Sequence, residues 1–220
     1  MNKLIDLSHE IYDGMITYKG LPAPIICDYL SRENSRAVYD GDTEFHIAKI
    51  DLVGNTGTYI DCPFHRFENG KDFTEISLEN LANLESITID AKDAIEIGME
   101  YFKGLVVENK AVLIFTNWAV HWGTPNYFEN HAYLTEEAAV YLKENNVKLV
   151  GIDSHNIDDT RKKTRPVHTI LLGAGILIVE HLTNLDQLPV EGYTFSAVPP
   201  KIKSTGTFPV RAYAELRRGE

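Results

Sequence analysis

Three short apolar runs, "AVLIF" (111–115), "VKLVGID" (147–153) and "ILIVE" (176–180), constrain the fold most. They have the length of strands and are apolar enough to be buried on both faces. "FHIAKIDLV" (45–53) alternates instead, placing His46, Ala48, Ile50 and Leu52 on one face, and "SITID" (86–90) also reads as a strand. Helical segments fall between the strands. "SLENLANL" (77–84) begins at a capping serine, and "LTEEAAVYLKENN" (134–146) has Thr135 as N-cap with Glu136 and Glu137 in its first turn. "RPVHTILLGAG" (165–175) puts Pro166 at a first helical position and glycines where the helix must stop. Residues 193–214 read as a terminal β segment broken by Pro199 and Pro200. This mixture lacks a strict βαβ rhythm, which implies an α/β mixed sheet with helices packed against it. The pattern does not fix a strand order.

No linker-like stretch divides the 220 residues, so a single domain spanning 1–220 is expected. The net charge of −11 comes from 32 acids against 21 bases, which are scattered except at 161–165 and in the tail at 217–218. Such a field repels nucleic acids and anionic membranes. The N-terminus lacks an apolar signal region and no window is apolar enough to span a membrane, so a cytoplasmic protein acting on a small molecule is expected. Cys27 and Cys62 are too few for a disulfide framework and read as reduced core thiols.

The segment "NTGTYIDCPFH" (55–65) follows Gly54 and contains Pro63, so it reads as a shaped loop at a strand end. Asp61 and His65 can direct a carboxylate and an imidazole to one point, or Asp61 can simply bond a turn while His65 lies exposed. A second pair bears on the choice. Glu180 closes a buried strand, and His168 lies twelve positions earlier in an otherwise apolar helix. Only tertiary folding can make them converge.

Other candidates have ordinary explanations. Asp153 and His155 follow a buried strand, where α/β proteins place ligands, but a turn held by Asp153 and Asn156 accounts for them. "RKKTR" (161–165) reads as a solvated loop in which Arg165 can face an anionic substrate. Trp118, His121 and Trp122 form an aromatic patch that reads by default as packing, with a pocket wall or an oligomer contact as the alternatives.

"TGTYIDCPFH" resembles the signature of the putative cyclase family, the kynurenine formamidase-like metal-dependent hydrolases, whose pattern reads His-x-Gly-Thr-His-x-Asp-x-Pro-x-His. "IDLSHEIYDGMITYKGLPAP", "LTEEAAVYLKENNVKLVGIDSHNID" and "PVHTILLGAGILIVEHLTNLDQL" look like the family's other blocks in the same order, so the resemblance covers most of the chain. It implies a single compact domain of the swivelling β/β/α type and a homodimer or larger oligomer. It also implies Asp61, His168 and Glu180 as metal ligands, His65 as proton carrier, and Tyr18 on the substrate pocket. Asn55 and Tyr59 stand where the pattern has two histidines.

The chemistry implied is hydrolysis of a small amide, ester or lactone by metal-activated water, as in an arylformamidase acting in tryptophan catabolism. Fewer imidazoles than the pattern demands point to one divalent ion, zinc or manganese. Tyr59 or Asn55 would steady the oxyanion, and Arg66 would pair with a substrate carboxylate. Tyr59 has a further option as a phenolate ligand. An alternative is a family member that has lost catalysis and binds a small molecule or partner. A serine or cysteine hydrolase built on Cys62 is a third reading, without a Gly-x-Ser-x-Gly elbow to support it.

Overall fold

The computed structural model describes residues 3–217, so Arg218 of the basic tail lies outside the described residues. The strands in chain order are β1 (Lys3–Asp6), β2 (Ile25–Leu30), β3 (Ile47–Asp51), β4 (Tyr59–Asp61), β5 (Leu84–Asp90), β6 (Glu96–Ile97) and β7 (Ala111–Phe115). They continue with β8 (Tyr133–Leu134), β9 (Leu149–Ile152), β10 (Leu177–Glu180), β11 (Tyr193–Ser196), β12 (Thr207–Pro209) and β13 (Tyr213–Leu216). The helices are α1 (Arg32–Ser35), α2 (Glu136–Glu144) and α3 (Pro166–Gly173). Nine strands form one mixed sheet in the order β1-β13-β11-β5-β7-β9-β10-β4-β12. Its centre, β5-β7-β9-β10, is parallel, and the flanking pairs are antiparallel. This is a single compact α/β domain with a curled mixed sheet.

The three apolar runs lie side by side at that centre because both of their faces are covered. Val112, Ile114, Val150, Ile152 and Ile178 pack with Ala138 and Leu142 of α2 and Val167 and Leu171 of α3. Ala111, Leu113, Leu149, Leu177 and Val179 point the other way, into a second core with Ile60, Phe73 and Phe195. Close packing reaches the backbone at Gly151, where an added Cβ would stand 2.7 Å from Leu113 and Leu182 side-chain carbons.

Three expectations change. Residues 55–65 are not a loop throughout, since Tyr59–Asp61 is a fully buried strand between β10 and β12. Pro63 then begins a 3-10 turn, Pro63–His65, just past the strand, where its missing N–H costs nothing. The alternating run at 45–53 does form a strand, but β3 pairs only with β2 in an arm whose residues are almost all exposed. "SLENLANL" makes only a 3-10 turn, Leu78–Asn80, because Asn83 turns left-handed (φ 56°) and β5 starts at Leu84. The terminal segment is β, as expected, in the form of β11, β12 and β13. Among the described residues, no helix is long and apolar enough to cross a membrane.

Both longer helices begin as expected, and Thr135 Oγ1 accepts from the Ala138 N–H at 3.2 Å. Thr135→Ala is therefore expected to lower stability by about 1 kcal/mol, read as a shift in urea midpoint at unchanged m-value.

Candidate metal and active site

Four elements bring the site together. In the antiparallel pair β4·β10, Glu180 lies opposite Tyr59 and Ile178 opposite Asp61, so Tyr59, Asp61 and Glu180 share the sheet face toward α3. From α3, His168 directs Nε2 to 3.6 Å from Asp61 Oδ2 and 3.7 Å from Glu180 Oε1. His65 comes from the turn after β4, and its backbone is pressed so closely by Gly206 that a Cβ there would lie 2.4 Å from the His65 nitrogen. One ligand atom each from Asp61, His65 and His168 falls within 4.8 Å of the others, a set able to chelate a divalent metal. Asp61 and His168 are buried and His65 is exposed, so the set opens to solvent on one side.

Asp61 carries the decisive observation. It is fully buried, and neither of its oxygens has a hydrogen-bond partner. Burying an unsatisfied carboxylate costs several kcal/mol unless a cation compensates it. At 3.6 Å the His168 contact is an ion pair without a hydrogen bond. Both oxygens therefore remain free to bind a metal, and the donor set of carboxylate oxygens and imidazole nitrogens suits zinc or manganese.

His168 is oriented from behind. Its Nδ1 lies 2.6 Å from Asp158 Oδ2, and the same carboxylate accepts the backbone N–H groups of Val167 at 2.8 Å and His168 at 3.0 Å. Asp158 thus caps the start of α3, where Arg165 supplies no side-chain cap, and holds the imidazole as the Nδ1–H tautomer with the Nε2 lone pair facing Asp61. Burial alone would lower the His168 pKa, but the Asp158 hydrogen bond and the Asp61 and Glu180 carboxylates raise it to about 10. Burial drives the Glu180 carboxyl upward, against the opposing pull of His168. Such a group of acids demands a positive charge, which either imidazolium or a bound cation provides.

Tyr59 is fully buried and donates its hydroxyl proton to Glu180 Oε2. Burial and the neighbouring Glu180 and Asp61 carboxylates push its pKa well above the ordinary value, which favours the neutral phenol. Glu180 Oε1 accepts from the Ile157 N–H at 2.6 Å, and the Asn156 side-chain amide lies 3.4 Å from both Glu180 Oε2 and the Tyr18 hydroxyl. Above this floor opens a cavity of about 390 Å³, lined by Tyr18, Asn55, Tyr59, His65, Arg66 and His168, among others. Asp61 and Glu180 do not line the cavity but lie beside it, 3.6 and 3.7 Å from His168 Nε2.

Arg165, read from sequence as able to face an anionic substrate, lines the cavity, whereas Asp158 was not assigned and Asn156 was read only as a turn residue. The signal for those two was position, since they follow the carboxyl end of central strand β9. Asp153 stays out of the cavity and accepts from the Thr116 N–H and hydroxyl at 2.8 and 2.6 Å. Cys62 is buried and its thiol is pushed up to about 12, chiefly by burial, which leaves little thiolate for a nucleophilic role. Cys27 is exposed, contrary to its reading as a core thiol.

Behind the Tyr59 wall lies an aromatic cluster, buried at Tyr127, His155 and His181. The His155 and His181 rings stack at 5.8 Å, Tyr127 meets both edge-on, and Trp122 stacks on His9 at 3.9 Å. Of the aromatic patch, Trp122 meets Tyr127 and His181 edge-on and Trp118 meets His121.

The residue pattern matches a family described as "Putative cyclase" over residues 5–159. The chain belongs to the putative cyclase family. Among its relatives, a kynurenine formamidase from Geobacillus thermodenitrificans is 29% identical over 222 aligned residues, covering 96% of this chain and 97% of the relative. A solved structure described as a potential metal-dependent hydrolase with cyclase activity superposes with a TM-score of 0.81 at 27% identity over the full length of both chains. Isatin hydrolase A from Labrenzia aggregata shares the fold, with a TM-score of 0.81 at 24% identity over 98% of this chain and 94% of that one. Membership in this family and the Asp61, His65 and His168 set agree with a metal-dependent hydrolase.

Two outcomes follow from this geometry. Asp158→Asn replaces an acceptor by an amide whose N–H favours the other imidazole tautomer, so metal affinity should fall about 10–100-fold in a competition titration with a chelator, while circular dichroism stays unchanged. Burial lowers the pKa of His155 to about 2 and of His181 to about 3, so imidazole ¹⁵N shifts should report both as neutral in folded protein at pH 5. Because the unfolded chain binds those protons below about pH 6.5, these two groups contribute stability above that pH and lose it progressively as pH falls toward their folded values.

Proposed function

We propose that the protein is a metal-dependent hydrolase of a small amide, ester or lactone, arylformamidase-like, with N-formylkynurenine of tryptophan catabolism as its first candidate substrate. The observation that carries this reading is the Asp61 carboxylate, buried without a hydrogen bond and facing two imidazoles on the floor of an open cavity. Asp61 and His168 would hold one zinc or manganese ion, with Glu180 as the third ligand. A divalent ion in such a site polarises a carbonyl and lowers the pKa of water to about 7.

The chain's own residues supply the rest. His65, exposed at the cavity edge, carries protons between water and the leaving nitrogen or oxygen. Asn55 has its amide oxygen 3.4 Å from the Thr207 hydroxyl, which leaves its nitrogen to donate to the developing oxyanion. Tyr59 donates its proton to Glu180, so in this reading it holds a ligand in place, a part beside the expected ones of oxyanion donor or phenolate ligand.

Assembly belongs to the same reading. The β2·β3 arm exposes Ile25, Tyr29, Phe45, Ile47 and Ile50, an apolar surface that a second copy would cover in a cytoplasmic homodimer.

Protein purified without chelator is expected to carry close to one equivalent of metal and to deformylate N-formylkynurenine or open simple lactones. His65→Ala should retain the metal and lower kcat by about 10²–10⁴-fold. Asp61→Ala and His168→Ala should lose both metal and turnover. Unchanged turnover in Asp61→Ala would overturn the mechanism, and a chain that neither binds metal nor gains thermal stability from it would favour the non-catalytic binder.

A further inference from the structure

The cavity is charged opposite to the protein that contains it. The chain has 32 acidic residues and a net charge of −11. Yet the cavity lining includes Lys19, Arg66 and Arg165 and no aspartate or glutamate. None of these three cations forms a salt bridge among the described residues, although other arginines of the chain do, such as Arg161 with Asp159 at 2.7 Å.

Arg165 is the best placed. It is half-buried at the residue before α3, three positions ahead of His168. Its Nη1 donates to the Lys162 and Thr164 carbonyls at 2.6 and 2.8 Å, which fixes the guanidinium on its own loop, and the residue lines the cavity. Tyr18 lines the cavity with Arg165 and its hydroxyl feels the guanidinium charge, the Asn156 amide lies 3.4 Å from that hydroxyl, and the same amide reaches Glu180. A continuous polar wall therefore runs from a cationic rim to the anionic floor. Arg66 is tied to the same rim, since its Nε donates to Thr169 Oγ1 at 3.1 Å and that hydroxyl donates to the Arg165 carbonyl at 2.7 Å.

A half-buried guanidinium without a carboxylate partner, in a chain rich in carboxylates, is a site for an external anion. We propose that Arg165, assisted by Arg66, is a specificity residue that binds the carboxylate of an anionic substrate and so presents the substrate's far end, with its reactive carbonyl, to Asp61, His65 and His168. This rests on the hydrolase reading above for the identity of the reactive end, but not for the binding of the anion. A cavity of about 390 Å³ suits a ligand of roughly one ring with a short side arm. The substrate class is therefore a small carboxylate-bearing amide, ester or lactone, with neutral analogues disfavoured.

The test compares N-formylanthranilate with its methyl ester as substrates, and anthranilate with methyl anthranilate as calorimetric ligands, in the metal-loaded and chelator-treated protein. The free acids should be preferred in both, and Arg165→Gln should reduce the acid-to-ester preference in kcat/KM and in Kd by about 10–100-fold. Lys163→Gln removes an exposed charge two positions away, outside the cavity lining, and should leave the preference unchanged. Equal binding of acid and ester overturns the proposal. So does a preference that survives Arg165→Gln, or one present only with metal, because the carboxylate would then be held by the ion. The two readings fail separately. Arg165-dependent anthranilate binding without turnover removes the hydrolase reading and leaves the anion site, whereas turnover without acid preference does the reverse.

Discussion

Three carboxyl groups gathered around one imidazole are the constraint on which the rest of the structure turns. Asp61, Glu180 and Asp158 are all buried against His168, and Asp61 has no hydrogen bond to offset its desolvation. Such an arrangement persists only where the surrounding fold holds each group independently. Here each has its own anchor. Asp61 is set by the strand pairs of β4, Glu180 by Tyr59 and the Ile157 amide, Asp158 by the first turn of α3, and His168 by Asp158.

The sheet explains why these anchors coincide. A parallel centre sends β9 and β10 in the same direction, so the segment after β9 and the end of β10 emerge at the same edge. The connection between them contains α3, which must lie back across the sheet and thereby carries His168 over the end of β10. β4 enters antiparallel beside β10 and places Asp61 on the same face. Both-sided burial makes this edge rigid, since β9 and β10 are fixed by side chains above and below them. A site with tolerances of a few tenths of an ångström requires that support.

Much of this was legible in the chain because the signals were local. The apolar runs at 111–115, 147–153 and 176–180 marked the central strands, and Thr135 and Pro166 marked the starts of α2 and α3. The residue pattern around Asp61 pointed to the site, and His168 and Glu180 converge as that reading required. What was not legible depended on long-range partners. Tyr59–Asp61 looked like loop because it lies between Gly54 and Pro63, and only pairing with β10 and β12 makes it a strand. The run at 45–53 had ideal alternation but no core to face, because the sheet edge next to β4 is taken by β12. Asp158 resembles any turn acid until its position beneath α3 is known. Periodicity reports how a segment would pack, not whether there is anything for it to pack against.

The charge arrangement gives the pocket a direction. Its rim carries Lys19, Arg66 and Arg165, its floor rests on Asp61 and Glu180, and the wall behind Tyr59 is an aromatic cluster of His155, His181, Trp122 and Tyr127. Burial keeps His155 and His181 neutral, so that wall neither attracts an anion nor screens the floor. Coulomb interactions are strongest where water is excluded. A positive charge on the floor, imidazolium or bound cation, offsets its carboxylates, so the guanidinium groups of the rim are the charges left without a carboxylate partner. Under the proposed reading the rim takes the ligand's anionic end while the floor faces its carbonyl, and the orientation depends on that separation of the two cationic positions by the polar wall between them.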